Sequence, residues 1–325
     1  MAAAVCLLLN TGHKILKDAK IVRVTLLHNE DAGDGDMPDG EMLCELIRGA
    51  GHEVLYHPCS EAGWAAALEP PADVIAVAGG DGTVGRVAKR LIGRNTPVAP
   101  LPYGTANNIS KTLGLMDLTL DEIVSGWSHA RRITFDVGIA TGPWGSRYFF
   151  EGAGVGLFAR TIQVADENKT LKSLDDAEAK IAYALMMLRE RLARCAPHTL
   201  KLKLDGRDVS GDYVLFEAMN MEFVGPNLYL APDVRPADGL LDVVLVTPAE
   251  RDVLQESLET WQEGELEEHN LPARRAGRIE LEWSGFDVHI DDEAWPGDGE
   301  KPSAPAQIEL TVERNALAFL GAAPR

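Results

Sequence analysis

Residues 76–91 read AVAGGDGTVGRVAKRL, a strand that meets a helix through a glycine-rich turn. The stretch ADVIAVA (72–78) that leads into it is apolar at nearly every position. That is the pattern of a central parallel strand covered on both faces. A helix is expected over Val84–Ile92. Its N-terminus offers unpaired N–H groups and the positive dipole end, and glycines let phosphate oxygens approach the backbone. Thr83 is placed to cap this helix or to donate to a phosphate. A plain strand–helix turn has the same composition. The Walker pattern GxxxxGK[ST] is absent, whereas Gly80, Gly82 and Gly85 match GxGxxG. A dinucleotide site wants an acid about 20 positions further on. None follows Asp81 until Asp117, so a NAD site is a poor fit.

Charge favours an anionic ligand at this turn. Residues 82–116 carry Arg86, Lys89, Arg90, Arg94 and Lys111 and no acid. The chain as a whole has 325 residues, 31 Lys+Arg against 50 Asp+Glu, and a net charge of −19. Such a balance disfavours nucleic acid as partner and a strong hold on an anionic membrane. At most transient membrane contact is expected. Asp81 lies inside the phosphate turn, where a carboxylate would repel a bare phosphate. It makes sense as an oxygen donor to Mg²⁺.

Strands expected at Ile21–Leu27, Glu53–Tyr56, Ala72–Ala78 and Pro97–Leu101 alternate with helices at Pro38–Ala50, Gly63–Leu68 and Val84–Ile92. Alternation of this kind indicates a parallel α/β domain. In the Pro38–Ala50 helix, Met42, Leu43, Leu46 and Ile47 share one face. From Arg132 onward short strand-like stretches follow one another, broken by helices at Ala177–Cys195 and Ala249–Trp261. That suggests an antiparallel sandwich. Cys6, Cys44, Cys59 and Cys195 lack CxxC spacing, which fits free thiols in a reducing cytosol. Ala2–Leu9 is apolar but too short to span a bilayer, so a cytoplasmic protein is expected.

GGDGT (79–83) followed by PYGTANNIS (102–110) resembles the diacylglycerol kinase catalytic domain family, which includes bacterial lipid kinases and sphingosine kinases. HNEDAG (28–33), RYFFEGAGVGLFA (147–159), LYLAPDVRPADGLLDVVLV (228–246), VHIDDE (288–293) and IELTVERNALAFL (308–320) stand in the family's order. The resemblance covers about residues 20–322. It implies a three-layer parallel-sheet nucleotide domain, residues 1–131 with about 313–325, and an antiparallel β-sandwich substrate domain, 132–312. A cleft would lie between them.

The implied activity is an ATP- and Mg²⁺-dependent phosphorylation of a hydroxyl on a lipid or lipid-like alcohol. Asn29 and Ser60 would touch the nucleotide. Gly79, Gly80, Gly82 and Thr83 would hold its phosphates, with Gly104, Thr105 and Asn107 on the neighbouring loop. Asp81 would act through Mg²⁺. Asp291, with Glu293, would accept the proton of the attacking hydroxyl, and period two puts both on one face of a strand beside His289. A structural cation would be held by the Asp238 side chain and the Arg235 and Leu240 carbonyls.

Three positions depart from the family pattern. Glu30 replaces a proline, Asn108 an aspartate, and Asp292 a glycine between the two acids. They leave two other expectations standing: the same fold acting on a soluble alcohol, and a non-catalytic nucleotide-binding regulatory protein. A homo-oligomer is compatible with all three.

Overall fold

The computed structural model describes residues 21–33, 37–262, 271, 273–296 and 303–322. Ala2–Leu9 with Cys6, and residues 297–302 of the turn-rich stretch PGDGEKPSAPA (296–306), lie outside the described residues. Four parallel strands, β1 (Arg23–His28), β2 (Glu53–Pro58), β3 (Val74–Gly79) and β4 (Val98–Pro102), pair in the order β2-β1-β3-β4. Every residue of β3 is buried, as its unbroken apolar run requires. Helix α1 (Gly40–Gly49) is capped by the Asp39 side chain, which accepts the Met42 N–H, and buries Leu43, Cys44 and Ile47. Met42, expected on the apolar face, is exposed, because that face centres on Leu43 and Ile47.

Helix α2 (Asp81–Lys89) begins three residues earlier than its apolar spacing suggests. Gly80 is the N-cap, with no side-chain capping bond, and Thr83 already lies in the first turn. The expectation that Thr83 caps the helix is therefore corrected. Two short helices follow, α3 (Asn108–Thr112) and α4 (Leu120–Gly126), the second closed by a Thr119/Glu122 capping box.

The chain then enters antiparallel structure with β5 (Arg131–Gly142), β6 (Gly145–Phe149) and β7 (Gly152–Gly156). Gly156, at φ +99, breaks β7 and starts helix α5 (Leu157–Glu167), which sequence periodicity does not single out. Helices α6 (Lys169–Lys172) and α7 (Ala177–Leu192) lead to β8 (His198–Leu204), β9 (Arg207–Asp208), β10 (Gly211–Tyr213), β11 (Leu215–Met219), β12 (Phe223–Val224), β13 (Leu228–Tyr229) and β14 (Leu241–Val246). Helix α8 (Arg251–Gln262) precedes β15 (Ala273–Ala276), β16 (Arg278–Trp283), β17 (Val288–Ile290), β18 (Glu293–Trp295) and β19 (Ala306–Gly321).

Strand β19 joins the two halves. It pairs parallel with β4 at Phe319 and antiparallel with β5 and β16, so the parallel sheet continues as β4-β19-β16-β8-β10. A second sheet runs β15-β14-β11-β7-β17-β18. Leu202, Leu281 and Leu310 of the first sheet meet Val155, Phe216 and Val243 of the second in one core, which makes a sandwich. The outer face of the second sheet is covered by α5, α7 and α8 through Phe158, Leu188 and Leu258.

Buried Asp136 on β5 pins this junction. One carboxylate oxygen accepts the Gly239 N–H at 2.6 Å and the other accepts the Asn315 N–H at 2.7 Å. Asn315 sits at φ +50 in the β19 irregularity between Glu313 and Leu317. Replacing Asp136 by Ala leaves the buried Gly239 amide without its acceptor and the Asn315 amide without the bond that holds its turn. Urea titration of Asp136→Ala is expected to show a loss of about 3 kcal/mol. A loss below about 1 kcal/mol would show that the junction does not depend on this carboxylate.

Candidate functional site

A cleft of about 850 Å³ opens between the C-terminal ends of the parallel strands and the helix-covered face of the sandwich. Open α/β sheets place their ligand crevice at those strand ends. One wall carries Asn29, Ser60, Asp81, Gly82 and Thr83, and the opposite wall carries Asp291, Asp292 and Glu293. A cavity of about 300 Å³ adjoins it beside Gly80, Gly104 and Thr105 and shares Asn29, Gly82 and Thr83.

The two glycine loops touch each other. A Cβ on Gly80 or on Gly104 would collide with the backbone of the other loop, so glycine is required at both positions. Gly79 is tight for a different reason: its Cβ would strike Thr83. Thr83 Oγ1 accepts a hydrogen bond from Asn29 Nδ2 at 3.1 Å. Ser60 donates to Glu30 at 2.9 Å, so the residue in place of the family's proline holds the serine. Asn107, in the left-handed region at φ +53, spends its amide on Gly104, accepting its N–H at 2.8 Å and donating to its carbonyl at 2.7 Å. It shapes the loop and does not line either cavity.

Asp81 ties the two loops together. Its oxygens accept the N–H groups of Asn108 and Ile109, each at 2.9 Å. Burial raises its carboxyl above the ordinary value, against the opposing pull of those amides and of Lys111. Of the basic window, Arg86, Lys89 and Arg90 line the cleft. Lys111 instead packs over the Phe223 ring, and burial lowers its ammonium below the ordinary value. Arg94 donates to the Leu68 carbonyl and Glu69.

The acids of VHIDDE are not arranged as sequence periodicity suggests. Strand β17 ends at Ile290, Asp291 and Asp292 form the turn of a hairpin, and β18 begins at Glu293. Asp291 lies in the left-handed region at φ +51, so it and Glu293 do not share a strand face. Asp291 points into the cleft, accepts the N–H groups of Phe150 and Glu151, and pairs with Lys89 Nζ at 2.9 Å. Glu293 is an exposed rim residue paired with Arg147 at 2.8 Å. Asp292 is drawn toward the phosphate turn: its Oδ2 would lie 3.1 Å from a Cβ on Gly82. Burial, with the Asp291 charge adding to it, raises the Asp292 carboxyl.

Glu151 is not among the site residues expected from sequence. Its carboxylate accepts from Asn108 Nδ2 at 3.0 Å and the Gly225 N–H at 3.1 Å. Burial pushes its carboxyl well above the ordinary value, and the charges of Asp81 and Asp291 push it further. The one signal in the sequence is an acid inside the apolar run RYFFEGAGVGLFA. The far end of the cleft is apolar, formed by Phe158, Ile162 and Ala165 of α5 and Ala184 and Leu188 of α7. Sequence periodicity gives these residues a structural role only.

Arg235, Asp238 and Leu240 lie away from both cavities. The Asp238 carboxylate accepts the Leu240 N–H at 3.1 Å and meets Arg275 Nη2 at 2.6 Å, and Arg275 Nε also reaches Asp242 at 3.3 Å. These residues do not fit the expected cation, since a guanidinium already supplies the positive charge between the two carboxylates. No group of three or more His, Cys, Asp or Glu suited to a metal occurs among the described residues.

The chain is similar to known proteins over most of its length. A family model described as the diacylglycerol kinase catalytic domain matches residues 23–140. One described as the YegS C-terminal NAD kinase beta sandwich-like domain matches residues 154–320. A diacylglycerol kinase of Mycobacterium tuberculosis (strain ATCC 25618 / H37Rv) is 27% identical over 85% of this chain and 86% of its own length. A diacylglycerol kinase of Bacillus subtilis (strain 168) is 30% identical over 62% of this chain and 65% of its own. The crystal structure of a diacylglycerol kinase from Bacillus anthracis str. Sterne superposes with a TM-score of 0.70 at 23% identity, covering 94% of this chain and 98% of that one. This last similarity speaks to the fold.

Glu151 also sets a pH dependence. Its raised value means the folded protein keeps a proton that the unfolded chain releases from about pH 4.5 upward. Its contribution to stability therefore falls as pH rises from that point. Glu151→Gln keeps an acceptor for both N–H donors and removes the titration. Thermal unfolding at pH 5 and pH 8 should find the variant more stable than the parent, with the larger gap at pH 8. An equal gap at both would sink this account.

Proposed function

The chain belongs to the diacylglycerol kinase catalytic domain family, with the YegS-type C-terminal sandwich, and on that premise we propose that it is an ATP- and Mg²⁺-dependent kinase acting on a hydroxyl of a lipid or lipid-like alcohol. It is a phosphotransferase by family. The observation that carries the finer reading is the two-ended cleft. At one end a glycine turn and three basic side chains face Asp291, and at the other α5 and α7 supply an apolar wall.

The glycine loops fit the phosphates of a nucleotide, because Gly82 and the start of α2 border the cleft. Asn29, Thr83, Gly104 and Thr105 line the adjoining cavity and would hold the rest of the nucleotide. Asp81 and Asp292 are the oxygen donors beside this turn to which Mg²⁺ is suited. Bound ATP with its cation supplies the phosphoryl group and part of the charge neutralisation.

The chain's own residues do the remainder. Asp291 accepts the proton of the attacking hydroxyl, held toward the cleft by two backbone amides and Lys89. Lys89, Arg86 and Arg90 stabilise charge on the transferring group. Glu293, at the rim with Arg147, orients rather than reacts. Ile162, Ala165 and Leu188 exclude water and hold the acceptor's chain. We further read 1–131 with about 313–325 as the nucleotide domain and 132–312 as the substrate domain. The change of partners along β19 near Glu313 supports that division.

Two measurements test this. Isothermal titration should detect ATP binding in Mg²⁺, and transfer of labelled phosphate to a panel of long- and short-chain alcohols should detect turnover. Asp291→Asn is expected to lower kcat by about 100-fold or more while ATP affinity stays within about threefold. Absence of ATP binding, or wild-type turnover in that variant, would end the proposal. Ile162→Asp should raise KM for a long-chain alcohol about tenfold and leave a short one unaffected. An equal effect on both would point to a soluble acceptor.

A further inference from the structure

Two of the most enclosed titratable side chains among the described residues take no part in the chemistry above. Glu217 on β11 and His289 on β17 are 0% and 1% exposed, and His289 Nε2 lies 2.8 Å from Glu217 Oε2. These strands are not neighbours. Both pair with β7, and Gly154 is the partner of Glu217 on one side and of His289 on the other. The two side chains therefore meet across an intervening strand, over a span of about 9.6 Å between backbones.

That meeting is possible only because β7 has no side chains on that face. Gly152 and Gly154 project toward the helix-covered side, whereas Ala153 and Val155 enter the sandwich core. A Cβ on either glycine would come within 3.0 Å of the Glu217 carboxylate. The alternation in GAGVG thus clears a channel through which Glu217 reaches His289. The Phe158 ring closes it from above, with its centroid 6.2 Å from that of His289.

The other imidazole nitrogen shows what the pair does. Nδ1 lies 2.9 Å from the carbonyl oxygen of Asp291 and donates to it. Asp291 sits at φ +51, a conformation that a residue with a Cβ seldom adopts unless its surroundings hold it there. The Asp291 N–H donates to the Gly152 carbonyl at 2.8 Å, so the turn is gripped at both ends of one residue. A buried ion pair is poor evidence for stability, because desolvation offsets the attraction. Here one carboxylate oxygen, Oε1, has no hydrogen-bond partner at all. Packing alone would be served as well by apolar side chains.

We propose that Glu217 and His289 are positioning residues that hold the Asp291 main chain in its left-handed turn and so aim its carboxylate at the cleft. The proposal rests on Asp291 being the proton acceptor. Charge on the pair is not what matters; the rigid reach from Glu217 to the Asp291 carbonyl is.

The test compares three variants of the full chain. Glu217→Leu with His289→Phe replaces the pair by apolar groups and is expected to unfold cooperatively, as the parent does. Its kcat should fall about 10- to 100-fold with KM for ATP within about twofold, the signature of a misaimed group rather than lost binding. Glu217→Gln should keep kcat within about threefold, because its amide can donate to Nε2 while Nδ1 still donates to Asp291. Should the double variant not fold, His289→Asn, too short to bridge both contacts, carries the same expected loss. A folded double variant (or His289→Asn in its place) with wild-type kcat overturns the proposal. So does a Glu217→Gln variant as slow as the double variant, which would mean that charge, not position, is in play. A crystal structure of the folded variant tests the turn without reference to catalysis: Asp291 should leave the left-handed region, and finding it unchanged overturns the proposal. If the wild-type chain phosphorylates no alcohol, it is the kinase reading that fails, and the crystallographic comparison alone decides the role of the pair.

Discussion

Strand β19 is the constraint on which the site depends. Among the described residues it is the one element hydrogen-bonded both to the parallel strands, at Phe319 opposite Val98, and to the antiparallel strands β5 and β16. A cleft between two halves joined only by a linker would vary in width. Here one wall stands on the sheet that β19 makes continuous and the other on the second sheet packed against it, so sheet pairing and the sandwich core together set the distance from Lys89 to Asp291. The irregularity between Glu313 and Leu317 lets one strand serve both partners, and Asp136 accepts the Asn315 amide within it. Strain in the strand and satisfaction by the carboxylate belong to one device.

The electrostatics of the cleft depend on this rigidity. Burial raises the carboxyls of Asp81, Glu151 and Asp292, and neighbouring carboxylates push Glu151 and Asp292 further. Free side chains would separate. Here three acids are held by backbone: Asp81 by the start of α3, Asp291 by the Phe150 and Glu151 amides, Glu151 by Gly225. In a chain of net charge −19, Arg86, Lys89 and Arg90 gather on the α2 wall of the cleft, where Lys89 meets Asp291 of the other wall. An anion entering the cleft thus meets an attractive side and a proton-accepting side.

The parallel half was legible because its signals are local. ADVIAVA is apolar at nearly every position and is buried from Val74 on, and GGDGT does stand at a strand–helix junction. The start of α2 was misplaced because its first turn is Asp-Gly-Thr, which has no apolar periodicity to read. The site's second wall was partly legible: Asp291 faces the cleft, but alternation along VHIDDE assumed a continuous strand, and the hairpin breaks it at Asp291. Glu151 and the Glu217–His289 contact were out of reach for a different reason. They depend on which strands flank β7, and nothing near residue 217 announces that residue 289 will lie across from it. Arg275 escaped in the same way, since it meets Asp238 only through the pairing of β14 with β15.

The departures from the family pattern make physical sense as local exchanges rather than as losses. Glu30 replaces a stiff proline with a side chain that holds Ser60 at 2.9 Å, so the loop after β1 is fixed by a hydrogen bond. Asn108 replaces an acid at a point where Asp81, Glu151 and Asp291 already crowd, and its amide donates to Glu151 at 3.0 Å. A further carboxylate there would add to that repulsion. Asp292 does the reverse, placing a carboxylate against the phosphate turn beside Gly82. One negative charge has left the floor of the cleft and another stands at its mouth. The total is unchanged, but the charge now stands where an incoming cation would first meet the protein.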